Sequence, residues 1–171
     1  MQCKEGNNMR YAQIKHNDTV DGDGIVVSLW MQGCPIHCPG CHNASIWDPD
    51  GGTEITITDL LDKICEALTK NGIKRNFSIL GGEPLAEYNV SYTNVIGNYI
   101  RQKFPDIKIF LWTGYTLEEL YAKDDDSGKY TDCTNWADVI IDGPWKQELA
   151  DKRLKLRGSS NQRILHKGID F

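Results

Sequence analysis

The apolar positions of this chain fall into short runs and helical stripes that alternate along it. Ile25–Met31 is almost continuously apolar, the pattern of a strand covered on both faces. Thr58–Lys70 then reads as a helix, with Leu60, Leu61, Ile64, Cys65 and Leu68 on one stripe, Thr58 as N-cap and Asn71-Gly72 as the stop. Phe77–Leu80 is a second strand. Ser91–Phe104 is a second helix, carrying Tyr92, Val95, Ile96, Tyr99 and Ile100 on one face and ended by Pro105. Ile107–Trp112 is a third strand. Thr116 and Glu119 form a capping box for a short helix that runs through Tyr121. Asp138–Ile141 is a fourth strand and Arg163–His166 a last short one.

Strands that alternate with helices predict an α/β fold with a mainly parallel sheet. A closed eight-stranded barrel needs about 250 residues. The 171 present leave room for about five or six strands, so a barrel would be partial and open on one side. Residues 1–8 are polar and read as a flexible extension, with Met9 an alternative start. Residues 9–171 read as a single domain.

The unusual loops follow the strands. Gly33-Cys34-Pro35-Ile36-His37-Cys38-Pro39-Gly40-Cys41 follows the first, Gly81-Gly82-Glu83-Pro84 the second, Thr113-Gly114-Tyr115 the third and Asp142-Gly143-Pro144 the fourth. In parallel α/β folds the carboxyl ends of the strands carry the site. Three cysteines spaced C-x3-C-x2-C can wrap one metal centre and leave part of it open. Thiolates suit an iron–sulfur cluster or zinc; zinc would draw its fourth ligand from His37 or His42. An unligated trio is the third reading. Cys65 lies on an apolar helix face and reads as core. Cys3 and Cys133 have no neighbours that point to ligation.

Composition narrows the class. A net charge of −5 argues against nucleic acid as the main partner. The basic stretch Lys146, Lys152, Arg153, Lys155, Arg157 and Arg163 reads as a solvated surface. No apolar run reaches the roughly 20 residues of a membrane span, and the start lacks the apolar core of a signal peptide. The expectation is a cytoplasmic protein whose clustered thiols are ligands rather than disulfides.

With these motifs in place, the chain resembles the radical S-adenosylmethionine enzymes, whose signature is C-x3-C-x2-C after the first strand of a partial barrel. Within them it is similar to the activating enzymes of anaerobic ribonucleoside-triphosphate reductase, from Met9 to about His166. The likeness rests on Asp21-Gly22-Asp23-Gly24, Gly33–Cys41 with His42-Asn43 and Trp47, and Gly81-Gly82-Glu83-Pro84-Leu85. It continues in Trp112–Thr116, Asp142-Gly143-Pro144 and Arg157-Gly158-Ser159-Ser160-Asn161-Gln162-Arg163. One departure stands out: many superfamily members carry an aromatic residue just before the third cysteine, and here that place is Gly40.

The resemblance implies that Cys34, Cys38 and Cys41 hold a 4Fe–4S cluster whose fourth iron takes S-adenosylmethionine. Reductive cleavage would give a 5′-deoxyadenosyl radical, which would generate a glycyl radical on the large subunit of the reductase. It implies that Gly81, Gly82 and Glu83 meet the methionyl ammonium. Asn43, Thr113 and Asp142 would contact the nucleoside, the carboxylate or the ribose, with a plain helix cap the other reading of Asn43. The chemistry would belong to cluster and cofactor, with no protein acid or base. A low-potential donor such as flavodoxin or ferredoxin would supply the electron, with no nucleic acid and no membrane involved. Arg157–Arg163 is left between a cofactor lid, a docking segment and a surface loop. The alternatives are an activase of another glycyl radical enzyme such as pyruvate formate-lyase, a small-molecule radical enzyme of deazaguanine biosynthesis, and a non-enzymatic iron–sulfur or zinc-binding module.

Overall fold

The computed structural model describes residues 8–171. Cys3 and the expected N-terminal extension, apart from Asn8, therefore lie outside the described residues. Seven strands form one open sheet in the order β3-β1-β2-β4-β5-β6-β7. They are β1 Asn8–Asp18, β2 Val26–Met31, β3 Thr53–Thr56, β4 Asn76–Gly81, β5 Ile109–Trp112, β6 Val139–Asp142 and β7 Arg163–His166. The pairs β2–β4, β4–β5 and β5–β6 are parallel. The pairs β1–β2, β1–β3 and β6–β7 are antiparallel. The fold class is thus mixed α/β, and the expected five or six strands become seven.

The extra strands are β1 and β3, which the apolar pattern hides. Met9, Tyr11 and Ile14 of β1 break the period of two, because the pairing slips at Ala12: Tyr11 faces Met31 and Gln13 faces Trp30. A bulge of this kind resets which side chains share a face. β3 is four residues long with no fully buried side chain, so it leaves almost no apolar signal.

Helix α1 (Ile57–Thr69) starts two residues earlier than its stripe suggests. Thr56, not Thr58, is the cap, its hydroxyl accepting from the Asp59 N–H at 3.1 Å. Asn71 and Gly72, both at positive φ, end that segment as expected. Helix α3 (Leu117–Lys123) carries the expected capping box between Thr116 and Glu119. Helix α2 (Val90–Lys103) keeps Tyr92, Ile96, Tyr99 and Ile100 of its expected face against the core but shifts the buried stripe off Val95. It buries Val90, Thr93, Asn94, Ile96, Gly97 and Ile100, while Val95 is half exposed. The cause is Trp136 on the one-turn helix α4 (Cys133–Trp136). Its indole occupies the space where a Cβ on Gly97 would stand, and its Nε1 donates to Asn94 Oδ1 at 3.2 Å.

One face of the sheet packs on the helices through Val27, Leu29, Phe77, Ile79, Leu111 and Ile140. Cys65 and Cys133 are buried in this core as free thiols. The alternate residues Phe110, Val139 and Ile141 form a smaller cluster with Trp112, Leu156 and Ile164 on the other face. Asp21-Gly22 closes one end of that second face: Ser78 donates to the Asp21 carbonyl at 2.5 Å, and a Cβ on Gly22 would lie 3.3 Å from Phe110. The opposite end is where the candidate site stands.

Candidate cluster and cofactor site

Strand β2 runs into the cysteine loop at Gly33. Two hydrogen bonds clamp the loop at its base, Gly33 N–H to the Ile46 carbonyl at 2.9 Å and Cys34 N–H to the Trp47 carbonyl at 3.0 Å. The loop is therefore a lobe closed at its base by backbone hydrogen bonds. His37 stacks on Trp47 with ring centroids 4.5 Å apart.

The loop after β4 is locked to this lobe. Gly82 N–H donates to the Met31 carbonyl at 3.0 Å and Glu83 N–H to the Gly33 carbonyl at 2.8 Å. A Cβ on Gly82 would collide with the Gly33 carbonyl, and one on Gly81 (φ +106°) would lie 2.7 Å from the Met31 nitrogen. Both glycines are thus required by one backbone crossing another. Buried Asn89, which the sequence did not single out, ties the same two segments together. Its Nδ2 donates to the Gln32 carbonyl at 2.9 Å and to the Glu83 carbonyl at 3.0 Å.

The Glu83 carboxylate is fully buried and joins the ends of β4 and β5. It accepts from Leu85 N–H at 2.9 Å, Thr113 Oγ1 at 2.8 Å and Gly114 N–H at 2.7 Å. Burial pushes its pKa up to about 7, and those three donors hold it from rising further. Thr113 spends its hydroxyl hydrogen on Glu83. Gly114 leaves room for the Ile36 side chain of the cysteine loop.

These loops border a half-open cavity of about 180 Å³. Cys34, Cys38, Cys41, Asn43, Gly81, Gly82, Glu83 and Thr113 all border it. The expected site residues are thus brought together, with one exception. Asp142 is not among the bordering residues: it is completely buried and its carboxylate is committed elsewhere. It accepts from Leu117 N–H at 2.8 Å and from Arg163 at 2.9 and 2.5 Å. Its contribution is to fix the end of β6, whose next residue, Gly143, does face the cavity. Asn43 stands at the N-cap position of the short turn 44–46, as its helix-cap reading expects, but its side chain makes no capping bond; its backbone N–H donates to Cys41 Sγ at 3.4 Å.

The donor set fits an iron–sulfur cluster. Three free thiols ring one void, and the other described cysteines, Cys65 and Cys133, are buried in the core. Among the described residues no three His, Cys, Asp or Glu converge tightly enough to hold one metal ion. Burial raises the pKa of Cys34 and Cys38, against which the amides of Ile36 and His37 act on Cys34 and that of Trp145 on Cys38. Backbone N–H groups directed at sulfur favour the thiolate and tune a bound cluster. Residues beyond those expected also border the void, notably Trp47, Trp112, Trp145 and Gln162. Trp145 follows the Asp142-Gly143-Pro144 motif directly, which is the only signal that could have marked it.

A cysteine lobe and a glycine-rich loop meet at the carboxyl ends of parallel strands, a donor set that fits an iron–sulfur protein. Residues 20–165 match the family of the 4Fe-4S single cluster domain. The anaerobic ribonucleoside-triphosphate reductase-activating protein of Vibrio cholerae is 38% identical over 160 residues, covering 93% of this chain and 98% of the relative. The protein of that name from Escherichia coli K12 is 38% identical over 92% of this chain and 99% of the relative. The one from enterobacteria phage T4 is 33% identical over 91% and 93%. The chain belongs to the family of anaerobic ribonucleoside-triphosphate reductase-activating proteins.

Proposed function

We propose that this chain is a radical S-adenosylmethionine enzyme that installs a glycyl radical on anaerobic ribonucleoside-triphosphate reductase. The observation that carries this reading is the placement of Cys34, Cys38 and Cys41 around the same cavity as Gly81, Gly82 and Glu83. The three thiolates would hold a 4Fe–4S cluster and leave one iron for S-adenosylmethionine. When bound, that pair supplies one-electron cleavage to a 5′-deoxyadenosyl radical able to take a hydrogen atom from a glycine α-carbon.

The protein's own part is to bind, orient and exclude water. The clamped base of the cysteine lobe anchors the loop that carries the three sulfurs. The Gly81–Glu83 backbone, anchored on Met31 and Gly33, presents the polar edge suited to the methionyl ammonium. Glu83 acts through Thr113 and Gly114, holding the β5 end against the lobe. The Asn43 side chain, free of capping duty, is available to the nucleoside. Trp47, Trp112 and Trp145 supply apolar wall.

As part of the same reading, residues 9–171 form one domain and the open sheet curls as a partial barrel, whose open side admits a peptide loop of the reductase large subunit. The electron comes from a low-potential donor of the flavodoxin or ferredoxin kind. The five described cysteines are free thiols, which suits a reducing cytoplasm. No helix among the described residues is long and apolar enough to cross a membrane.

Anaerobic reconstitution tests the reading. The expected outcome is four irons and four sulfides per chain and reductant-dependent release of 5′-deoxyadenosine, both lost in Cys38→Ala. Stoichiometric zinc without iron would overturn it.

A further inference from the structure

The Arg157–Arg163 segment, which the sequence left without a role, folds back on the loop that follows β6. Gln162 is its hub. Its Oε1 accepts from Gly158 N–H at 2.9 Å and Ser159 N–H at 3.1 Å, and its Nε2 donates to the Gly143 carbonyl at 3.2 Å. Asn161 Nδ2 donates to the Pro144 carbonyl at 2.7 Å. Ser159 Oγ accepts from Lys146 N–H at 3.1 Å. Three side chains of the segment thus grip residues 143, 144 and 146, on both sides of Trp145.

Trp145 lies between two glycines from distant parts of the chain. A Cβ on Gly40, in the cysteine loop, would stand 3.2 Å from Trp145 Cζ3 and 2.5 Å from Gln147 Oε1. A Cβ on Gly158 would stand 2.8 Å from Trp145 Cδ1 and 3.0 Å from Nε1. His42 meets the same indole edge-on, with centroids 5.5 Å apart. The place before the third cysteine is held at positive φ (+73°), which favours glycine, and a side chain there would also meet Gln147 and the Trp145 ring. Trp145 and Cys38 border both the cavity and a neighbouring groove, so the indole forms part of the wall between the two.

Resting on the cluster reading above, we infer that Trp145, pinned by the Gln162-centred strap, is the positioning residue that seats the cysteine loop and keeps water from the Cys38 side of the cluster. Solvent exposure and the dielectric around a cluster set its reduction potential. Water admitted on that side stabilises the more negative, reduced cluster, so loss of the indole shifts the potential upward.

The test is an EPR-monitored redox titration of the reconstituted protein, with iron and sulfide measured in each variant. Trp145→Ala is expected to keep its iron and shift the potential positive, with Trp145→Phe restoring most of the difference. Gly158 is exposed and its backbone lies outside the left-handed region, so Gly158→Ala disturbs Trp145 while straining little else. It is expected to shift the potential in the same direction, and to add nothing in the Trp145→Ala background, the signature of two changes acting through one contact. An unchanged potential in iron-replete Trp145→Ala, or a Gly158→Ala shift that persists without the indole, would overturn the inference. Absence of iron from the parent protein would instead overturn the cluster reading.

Discussion

A buried and a half-buried acid far from the cysteine loop give the clearest residue-level prediction. Asp18 and Asp21 face each other beside Ser28, with Lys15 Nζ 3.6 Å from Asp18 and 4.0 Å from Asp21. Burial, then the neighbouring Asp18, push Asp21 up to about 7. Burial works against ionised Asp18 too, but hydrogen bonds from Asp21, Val20 and Ser28 outweigh it and hold Asp18 well below the usual range. The two titrate as a pair. From an ordinary value of 3.8 up to about 7, the folded protein keeps a proton on Asp21 that the unfolded chain has released. Folding stability therefore falls as pH rises across that window, whereas the contribution of Asp18 is already complete above its start. Urea unfolding at pH 5 and pH 8 is expected to show this loss in the parent and a flatter response in Asp21→Asn. Parallel pH dependences would contradict it.

At the scale of elements, α2 shows how packing shifts an apolar stripe. Its largest apolar residues predict a face through Val95, but a small residue at Gly97 admits Trp136 and shifts the buried stripe off Val95. Gly97→Ala improves helix propensity by roughly 1 kcal/mol. Overpacking against a buried indole costs about 1–3 kcal/mol. Net destabilisation is expected, read as a lower melting temperature; a gain would show that the two helices separate easily. The same lesson applies to strands. The parallel β2, β4, β5 and β6 were legible because burial on both faces leaves apolar runs such as Val26–Met31. Strand β1 was not, because the slip at Ala12 breaks its alternation. Strand β3 was not, because a short edge strand has little to bury. The capping box at Thr116 was legible because it is local chemistry, needing only residues three apart.

At the scale of the whole molecule, the site was legible as far as it follows strand ends. The motifs after β2, β4 and β5 meet in one cavity, and so does Gly143 after β6. What stayed hidden depends on chain segments that meet only in three dimensions. Asn89 bridges Gln32 and Glu83, and Trp145 lies between Gly40 and Gly158. Asp142 turned inward because Arg163 of the neighbouring antiparallel strand reaches it. Arg163 also pairs with Glu118, so one guanidinium links β6, β7 and α3. Arg163→Ala would leave Asp142 buried and unpaired. Breaking a buried pair costs about 3–5 kcal/mol, and the solvent reach of Arg163 places this near the lower end. Denaturant titration is expected to show that loss, with Asp142→Asn recovering part of it in the Arg163→Ala background. An unaffected midpoint would mean that the β6–β7 edge does not depend on the pair.

The central claim is that these strand ends form a radical-generating site for a protein partner. The direct measurement is EPR on the reconstituted chain mixed anaerobically with anaerobic ribonucleoside-triphosphate reductase, S-adenosylmethionine and a reductant. A glycyl-radical doublet on the reductase that is absent with Cys34→Ala, Cys38→Ala or Cys41→Ala is the predicted result. An iron-replete preparation that gives no doublet with an active reductase would contradict the account.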